Sequence, residues 1–123
     1  MPYTTVNKST DHFNTKLYTG TGSSNAITGV GFQPDLTWIK NRGSAVATRV
    51  FDAVRGATKA IYTSESDAEG TNAQSLTSFD SDGFTVGTHA SVNANNTNIC
   101  SWNWKAGTTS SISGGSITPS SVS

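Results

Sequence analysis

The chain has 123 residues, enough for one domain with its own core and too few for two of ordinary size. Its formal net charge is zero, which gives no reason to expect a nucleic acid as partner. No apolar run approaches the length of a membrane span, so we expect no membrane insertion. The single cysteine, Cys100, excludes an internal disulfide and cannot anchor a zinc site alone.

Small polar residues replace much of the usual hydrophobic and charged content. Hydrophobic residues make up 33% of the chain and charged residues 13%, both low for a globular protein. Disordered chains usually carry high charge, whereas here the charge is low and aromatic and β-branched residues recur between turns. The composition therefore favours a β-rich domain of extracellular or virion type.

In chain order, short alternating segments separated by turn residues predict a succession of strands. The predicted strands lie at residues 12–20, 26–32, 36–42, 48–52, 59–63, 76–86 (a hairpin) and 99–105. Pro34 holds the preceding residue extended at the entry to the third of them. No segment has a sustained helical period. Turn signals every eight to twelve residues predict an all-β fold, an antiparallel β-sandwich of jelly-roll or concanavalin-like type.

The boundaries of the domain follow from composition. Residues 1–11 are polar and predict an N-terminal arm, and residues 12–107 form the predicted β-sandwich domain. Residues 108–123 are rich in Ser, Thr and Gly, which predicts a flexible linker or the start of a further module. Because the domain is poor in Leu and Ile, its core is expected to be aromatic. The expected core residues are Trp38, Phe51, Phe79, Phe84, Trp102 and Trp104.

The sequence offers no clear catalytic constellation. His12 and His89 are far apart, and no Gly-x-Ser-x-Gly motif is present. Asp52 lies three residues before Arg55, which favours a local structural ion pair over a catalytic carboxylate. Cys100 lies in an alternating strand and is expected to be an inert buried thiol. We therefore expect no enzyme and no cofactor.

Two polar loops are the candidate binding segments, because loops carry function on β scaffolds. Their candidate ligand-binding residues are Asn93, Asn95, Asn96, Asn98, Asp67 and Glu69. Asp80 and Asp82 resemble part of a calcium loop, but further ligands are missing and a tight hairpin explains both, so no metal site is expected. Tryptophan rings could stack on sugars, although core packing is favoured for them.

Five motifs together resemble a known family. They are LYTGTG at 17–22, TGVGFQPDLTWIKNR at 28–42, VFDAVRGA at 50–57, LTSFDSDGFTVG at 76–87 and WNWKAG at 102–107. In this order and spacing they resemble a functionally uncharacterised β-rich domain that recurs in virion and tail-associated proteins of marine tailed bacteriophages.

The resemblance implies a non-enzymatic structural module of a virion, in a tail fibre, tail tip or capsid surface, that contributes to host-surface attachment. It implies synthesis in the host bacterial cytoplasm, other virion proteins as partners, and homo-oligomers, with trimers favoured. It supplies no catalytic residues. The alternative function is a lectin-like module that recognises host glycans through the polar loops.

Overall fold

The computed structural model describes residues 8–106, which contain one short 3-10 helix, one short α-helix and nine strands. The 3-10 helix spans Ser9–Asp11. The other elements are β1 Phe13–Thr19, β2 Asn25–Ile27, β3 Leu36–Asn41, β4 Arg49–Asp52, β5 Lys59–Tyr62, β6 Gly70–Thr71, β7 Leu76–Asp80, β8 Gly83–Val86, α1 Ala90–Asn93 and β9 Asn98–Trp104. No helix in this part of the chain is long and apolar enough to cross a membrane. The predicted linker at 108–123 lies outside the described residues.

The strands form two antiparallel sheets. The large sheet has the order β1-β9-β3-β4-β5-β6, and the small sheet has the order β2-β8-β7. The last strand of the described residues, β9, therefore lies between β1 and β3 and is hydrogen-bonded to both. Apolar side chains from both sheets form one core, which confirms the all-β sandwich.

Most predicted strands are confirmed, and the second one is shorter than expected. The prediction of a strand over 26–32 is wrong beyond Ile27, where β2 ends. Gly29 and Gly31 adopt φ values of 78° and 93°, which a strand cannot contain. Their N–H groups donate to the carboxylate of Asp82 at 2.9 and 2.7 Å instead of to a neighbouring strand. The segment is thus a loop held by one side chain.

The aromatic core is only partly as predicted. Phe51 and Phe84 are fully buried, and Phe79 packs against the core as a partly buried residue. The prediction is wrong for the three tryptophans, which lie on the outer face of the large sheet. Trp38 is 39% exposed and Trp104 is 36% exposed, while Trp102 is half-buried between them. Side chains alternate along a strand, so their neighbours face the core instead.

Several of those inward-facing neighbours are polar, and they bond to one another. Asn103 is fully buried in the centre of the large sheet. Its Oδ1 accepts from the Thr37 hydroxyl at 3.0 Å, and its Nδ2 donates to the Asn14 carbonyl and to the Ser101 hydroxyl, each at 3.1 Å. One amide thus links β1, β3 and β9. Because every partner is buried or half-buried, the network tolerates no missing member.

Removing this amide should destabilise the domain. Asn103→Ala leaves the Asn14 carbonyl and the Ser101 and Thr37 hydroxyls without their partner, so we expect a loss of about 2–4 kcal/mol in the free energy of unfolding. Urea unfolding followed by tryptophan fluorescence measures it. Asn98→Ala, at an exposed position of the same strand, is the matched control and should change stability by less than about 0.5 kcal/mol. Equal losses in the two variants would contradict the role of the network.

Candidate functional site

The outer face of the large sheet carries a continuous apolar surface, here named the aromatic face. Its members are Phe13, Leu17, Leu36, Trp38, Val50, Ile61, Trp102 and Trp104. Strand register aligns them into rows: the middle row runs Thr15, Trp102, Trp38, Val50 and Ile61 across five strands. A second row runs Phe13, Trp104 and Leu36. Five of the eight members are at least one-third exposed.

Two pairs of aromatic rings form the centre of this face. Trp38 and Trp102 are directly opposite on β3 and β9, with ring centroids 5.8 Å apart and planes inclined by 55°. Phe13 and Trp104 are opposite on β1 and β9, with centroids 5.0 Å apart and the same inclination. Tilted cross-strand pairs stabilise the sheet and fix each ring in place. The tilted rings therefore form a rigid, uneven surface and not a flat one.

Charged residues lie at the two ends of the face and not in its middle row. Asp52 lies beside Leu36 in the register, and Lys40 lies beside Cys100 on the opposite end. Lys40 donates to the Val46 carbonyl at 3.2 Å, and the carboxylate of Asp52 pairs with Arg55. The predicted Asp52–Arg55 pair is thus present. Burying the face against a partner would not strip Asp52 of its counter-charge.

Cys100 lies on this face between Leu17 and Lys40, and its side chain is buried. Burial raises the pKa of the Cys100 thiol, only partly opposed by the charge of Arg42. A thiol with a raised pKa is a poor nucleophile at neutral pH. The chemistry available at the face is therefore packing, not covalent reaction at sulfur.

A shallow depression of about 260 Å³ lies at the Leu17 end of the face. Its lining residues are Leu17, Tyr18, Thr19, Arg42, Asn98 and Ile99. Asn98 is the one predicted ligand residue among them. The Tyr18 hydroxyl donates to the Val92 carbonyl at 2.7 Å, and burial raises the pKa of Tyr18. That hydroxyl is therefore a structural donor.

Asn93 is not available to a ligand, contrary to the sequence-based expectation. It is fully buried at the end of α1. Its Oδ1 accepts from the Thr21 N–H at 2.9 Å, and its Nδ2 donates to the Gly87 carbonyl at 2.7 Å and to the Ser23 carbonyl. The amide thus holds the turn after β1 against the segment before α1. Its saturated hydrogen bonds make it a structural residue.

The other predicted ligand residues remain exposed but are not brought together. Asn95, Asn96 and Asn98 follow α1 and lie beside the β1 edge of the large sheet. Asp67 and Glu69 precede β6, which is the opposite edge. Glu69 pairs with Arg55 at 2.9 Å and with Lys59 at 3.7 Å. No common site forms from the two loops, and a ligand at either one stays a prediction.

The two hairpin carboxylates are also bonded within the protein. Asp80 accepts from the Ser78 hydroxyl at 2.8 Å and from the Thr85 hydroxyl at 2.6 Å. Asp82 accepts from the two glycine N–H groups of the 28–32 loop. Within residues 8–106, no three His, Cys, Asp or Glu side chains are placed to hold a metal ion. Hydrogen bonds within the protein thus account for both carboxylates.

Acid should weaken the domain through Asp52 and Asp82. Burial alone would raise the pKa of Asp52, but hydrogen bonds and charge from Arg55 outweigh it and lower the pKa. The N–H groups of Gly29 and Gly31 lower the pKa of Asp82 below its ordinary 3.8. Stability from both groups is therefore present above about pH 4 and is lost as pH falls through the lowered folded-state values.

Urea unfolding between about pH 2 and pH 6 measures this loss. Asp82→Asn removes one titrating group, so its decline below pH 4 should be shallower than that of the wild type. Asp67→Asn, in the exposed loop before β6, is the matched control and should follow the wild-type curve. A wild-type slope in the Asp82→Asn variant would show that this carboxylate is not linked to folding.

Comparison with known proteins places the chain in a family without assigning an activity. No curated protein and no solved structure matches the chain. The model of one family, described as a domain of unknown function, matches residues 8–123, which include the whole sandwich. The chain belongs to the DUF7483 family.

Proposed function

We propose that this domain is a non-enzymatic structural module of a tailed-bacteriophage virion, in which the aromatic face is buried against a second copy of the same chain. The virion assignment rests on the motif resemblance, which covers roughly residues 12–107. The assembly role rests on one observation, the continuous aromatic face with exposed Trp38 and Trp104 rings. Contiguous exposed apolar surface of this kind marks interaction sites.

The composition of the face favours a protein partner. Aromatic residues are enriched at protein interfaces and charged residues are depleted at their centres. Here the middle row contains two tryptophans, a valine, an isoleucine and one threonine, without a charge. The charged ends of the face correspond to the polar rim of such an interface. Tilted rings also suit interdigitation with another side-chain surface better than contact with a flat sugar.

A second copy fits this face for electrostatic and geometric reasons. The formal net charge of the chain is zero, so two copies do not repel each other over distance. A sheet face whose apolar rows lie between charged ends can pair with itself about a twofold axis. Paired sheet faces of this kind already form the core of each sandwich, at a spacing of about 10 Å.

The size of the face predicts weak association of the isolated domain. Five strands spaced by about 4.8 Å, with three rows on the face, give a planar area on the order of 400 Å². Two copies would bury about 800 Å², which is below the range of stable interfaces and fits a transient one. In a particle, neighbouring attachment points raise the effective concentration and make such a contact persistent.

Self-association should therefore be measurable and should depend on the face. Sedimentation velocity of the wild type over a range of concentrations should show reversible dimers with a Kd on the order of 10–1000 μM. Trp38→Lys places a charge in the middle row and should weaken association at least tenfold. Ile61→Lys, in the same row, should act alike.

Val54→Lys is the matched control, because Val54 is 92% exposed in the turn between β4 and β5 and is not a member of the aromatic face. It should associate as the wild type does. A wild type that stays monomeric at millimolar concentration, or equal weakening by Val54→Lys, would contradict a self-docking face. A stable trimer whose formation is insensitive to Trp38→Lys would also contradict it.

Carbohydrate binding is the second candidate, and the exposed indoles of Trp38 and Trp104 favour it. Indole faces stack on pyranose rings. In that case a glycan array should give saturable binding that Trp38→Ala abolishes although the variant remains folded. Loss of binding in Asn95→Ala instead would assign recognition to the polar loops. No binding to any glycan would remove this candidate.

A further inference from the structure

Arg49 is an unusual residue for its position. It lies on the inward face of β4 and is only 8% exposed. Its guanidinium carbon is 4.9 Å from the centroid of the Tyr62 ring, which is opposite on β5. Nη1 donates to the Tyr62 hydroxyl at 3.4 Å, and Nε is buried without a hydrogen-bond partner among the described residues. The guanidinium cation is thus enclosed at one end of the sandwich, and its contacts with Tyr62 are long.

No carboxylate side chain of this protein neutralises that cation. All eight acidic residues lie within residues 8–106, and none of them is within 4 Å of the Arg49 guanidinium nitrogens. The two acidic residues that form an ion pair with an arginine, Asp52 and Glu69, both pair with Arg55 and not with Arg49. A buried charge without a counter-charge is costly, and a cation–π contact offsets only part of the cost.

The neighbouring histidine contributes a second donor instead of an acceptor. Nδ1 of His89 accepts from the Ser91 N–H at 3.2 Å, so it carries no proton. Burial and the charge of Arg49 lower the pKa of His89, which keeps the ring neutral at pH 7. The proton of a neutral ring must then lie on Nε2. Nε2 is 3.4 Å from Nη2 of Arg49, so two N–H donors face each other without an acceptor.

The Tyr62 hydroxyl completes the group. It accepts from Arg49, and within the described part of the chain its own proton is donated to no acceptor. Tyr62 and His89 are both half-buried, so solvent reaches part of each side chain. Three donors from β4, β5 and the start of α1 thus converge where an acceptor is missing. A planar anion with two oxygens matches donors of this kind, as in arginine–carboxylate pairs.

We propose that Arg49, Tyr62 and His89 form a binding site for the carboxylate group of a small ligand. The carboxylate accepts from Nη2 of Arg49 and Nε2 of His89, and from the Tyr62 hydroxyl. This site is at the end of the sandwich interior and is separate from the aromatic face. It requires no metal ion and no covalent step.

Thermal unfolding of the full chain at pH 7 tests the site. The probes are sodium glucuronate and sodium acetate, with glucose as the neutral counterpart and sodium chloride keeping the ionic strength constant. Saturable stabilisation by a carboxylate is expected, with Tm rising by about 4–8 °C at about ten times the Kd. A larger response to glucuronate identifies an acidic sugar as the ligand, and equal responses identify the carboxylate group alone.

Arg49→Gln should abolish the response, while Arg42→Gln, at an exposed arginine, should retain it. Because Arg49→Gln could also impair folding, Tyr62→Phe is the second variant, and its Kd should rise about tenfold. In the wild type, the Arg49 Nε–Hε resonance should shift on adding glucuronate and not on adding glucose. Equal effects of glucuronate, glucose and sodium chloride, or an unchanged response in both Arg49→Gln and Tyr62→Phe, would overturn the proposal.

Discussion

Buried asparagine side chains impose the constraint on which the rest of this structure depends. Asn103 joins three strands of the large sheet through its amide, and Asn93 holds the turn after β1 against the segment before α1. Asn41 donates to the Ala90 carbonyl at 3.0 Å and so fixes α1 on β3. A buried amide costs free energy unless each of its donors and acceptors is paired. Few arrangements of the strands and loops can satisfy all of these amides at once. Specificity of the fold therefore comes from polar contacts as much as from the small apolar core.

Because those polar residues occupy the inner face, the aromatic residues of the same strands are displaced to the outside. In β9, Ser101 and Asn103 face the core while Trp102 and Trp104 face outwards. The usual relation between hydrophobicity and burial is inverted over this part of the large sheet. The inversion leaves apolar area in contact with water, which does not stabilise a monomer. For this reason the assembly role is proposed for the aromatic face.

Period-two alternation was sufficient to predict the sandwich and most strands, since it is a local property of the sequence. It defines two sets of side chains per strand but not which set faces inwards. Their hydrophobicity led us to place the tryptophans in the core. That prediction was wrong because tertiary hydrogen bonds offset the cost of burying the amide of Asn103 instead. The role of Asn93 depends on Thr21, 72 positions away, and no local pattern contains it. The only sign of the proposed Arg49 site was an arginine on the same, core-facing side of its strand as Phe51.

The position of β9 also determines when the domain can form during synthesis. The large sheet has β9 between β1 and β3, although β9 is translated after all the other strands of residues 8–106. Until Trp104 has left the ribosome, β1 and β3 have no shared partner, and their edges and aromatic side chains are exposed to solvent. We therefore expect the nascent chain to stay open to chaperones until translation passes β9, and the sheet to close only afterwards, with slow formation of its long-range pairs.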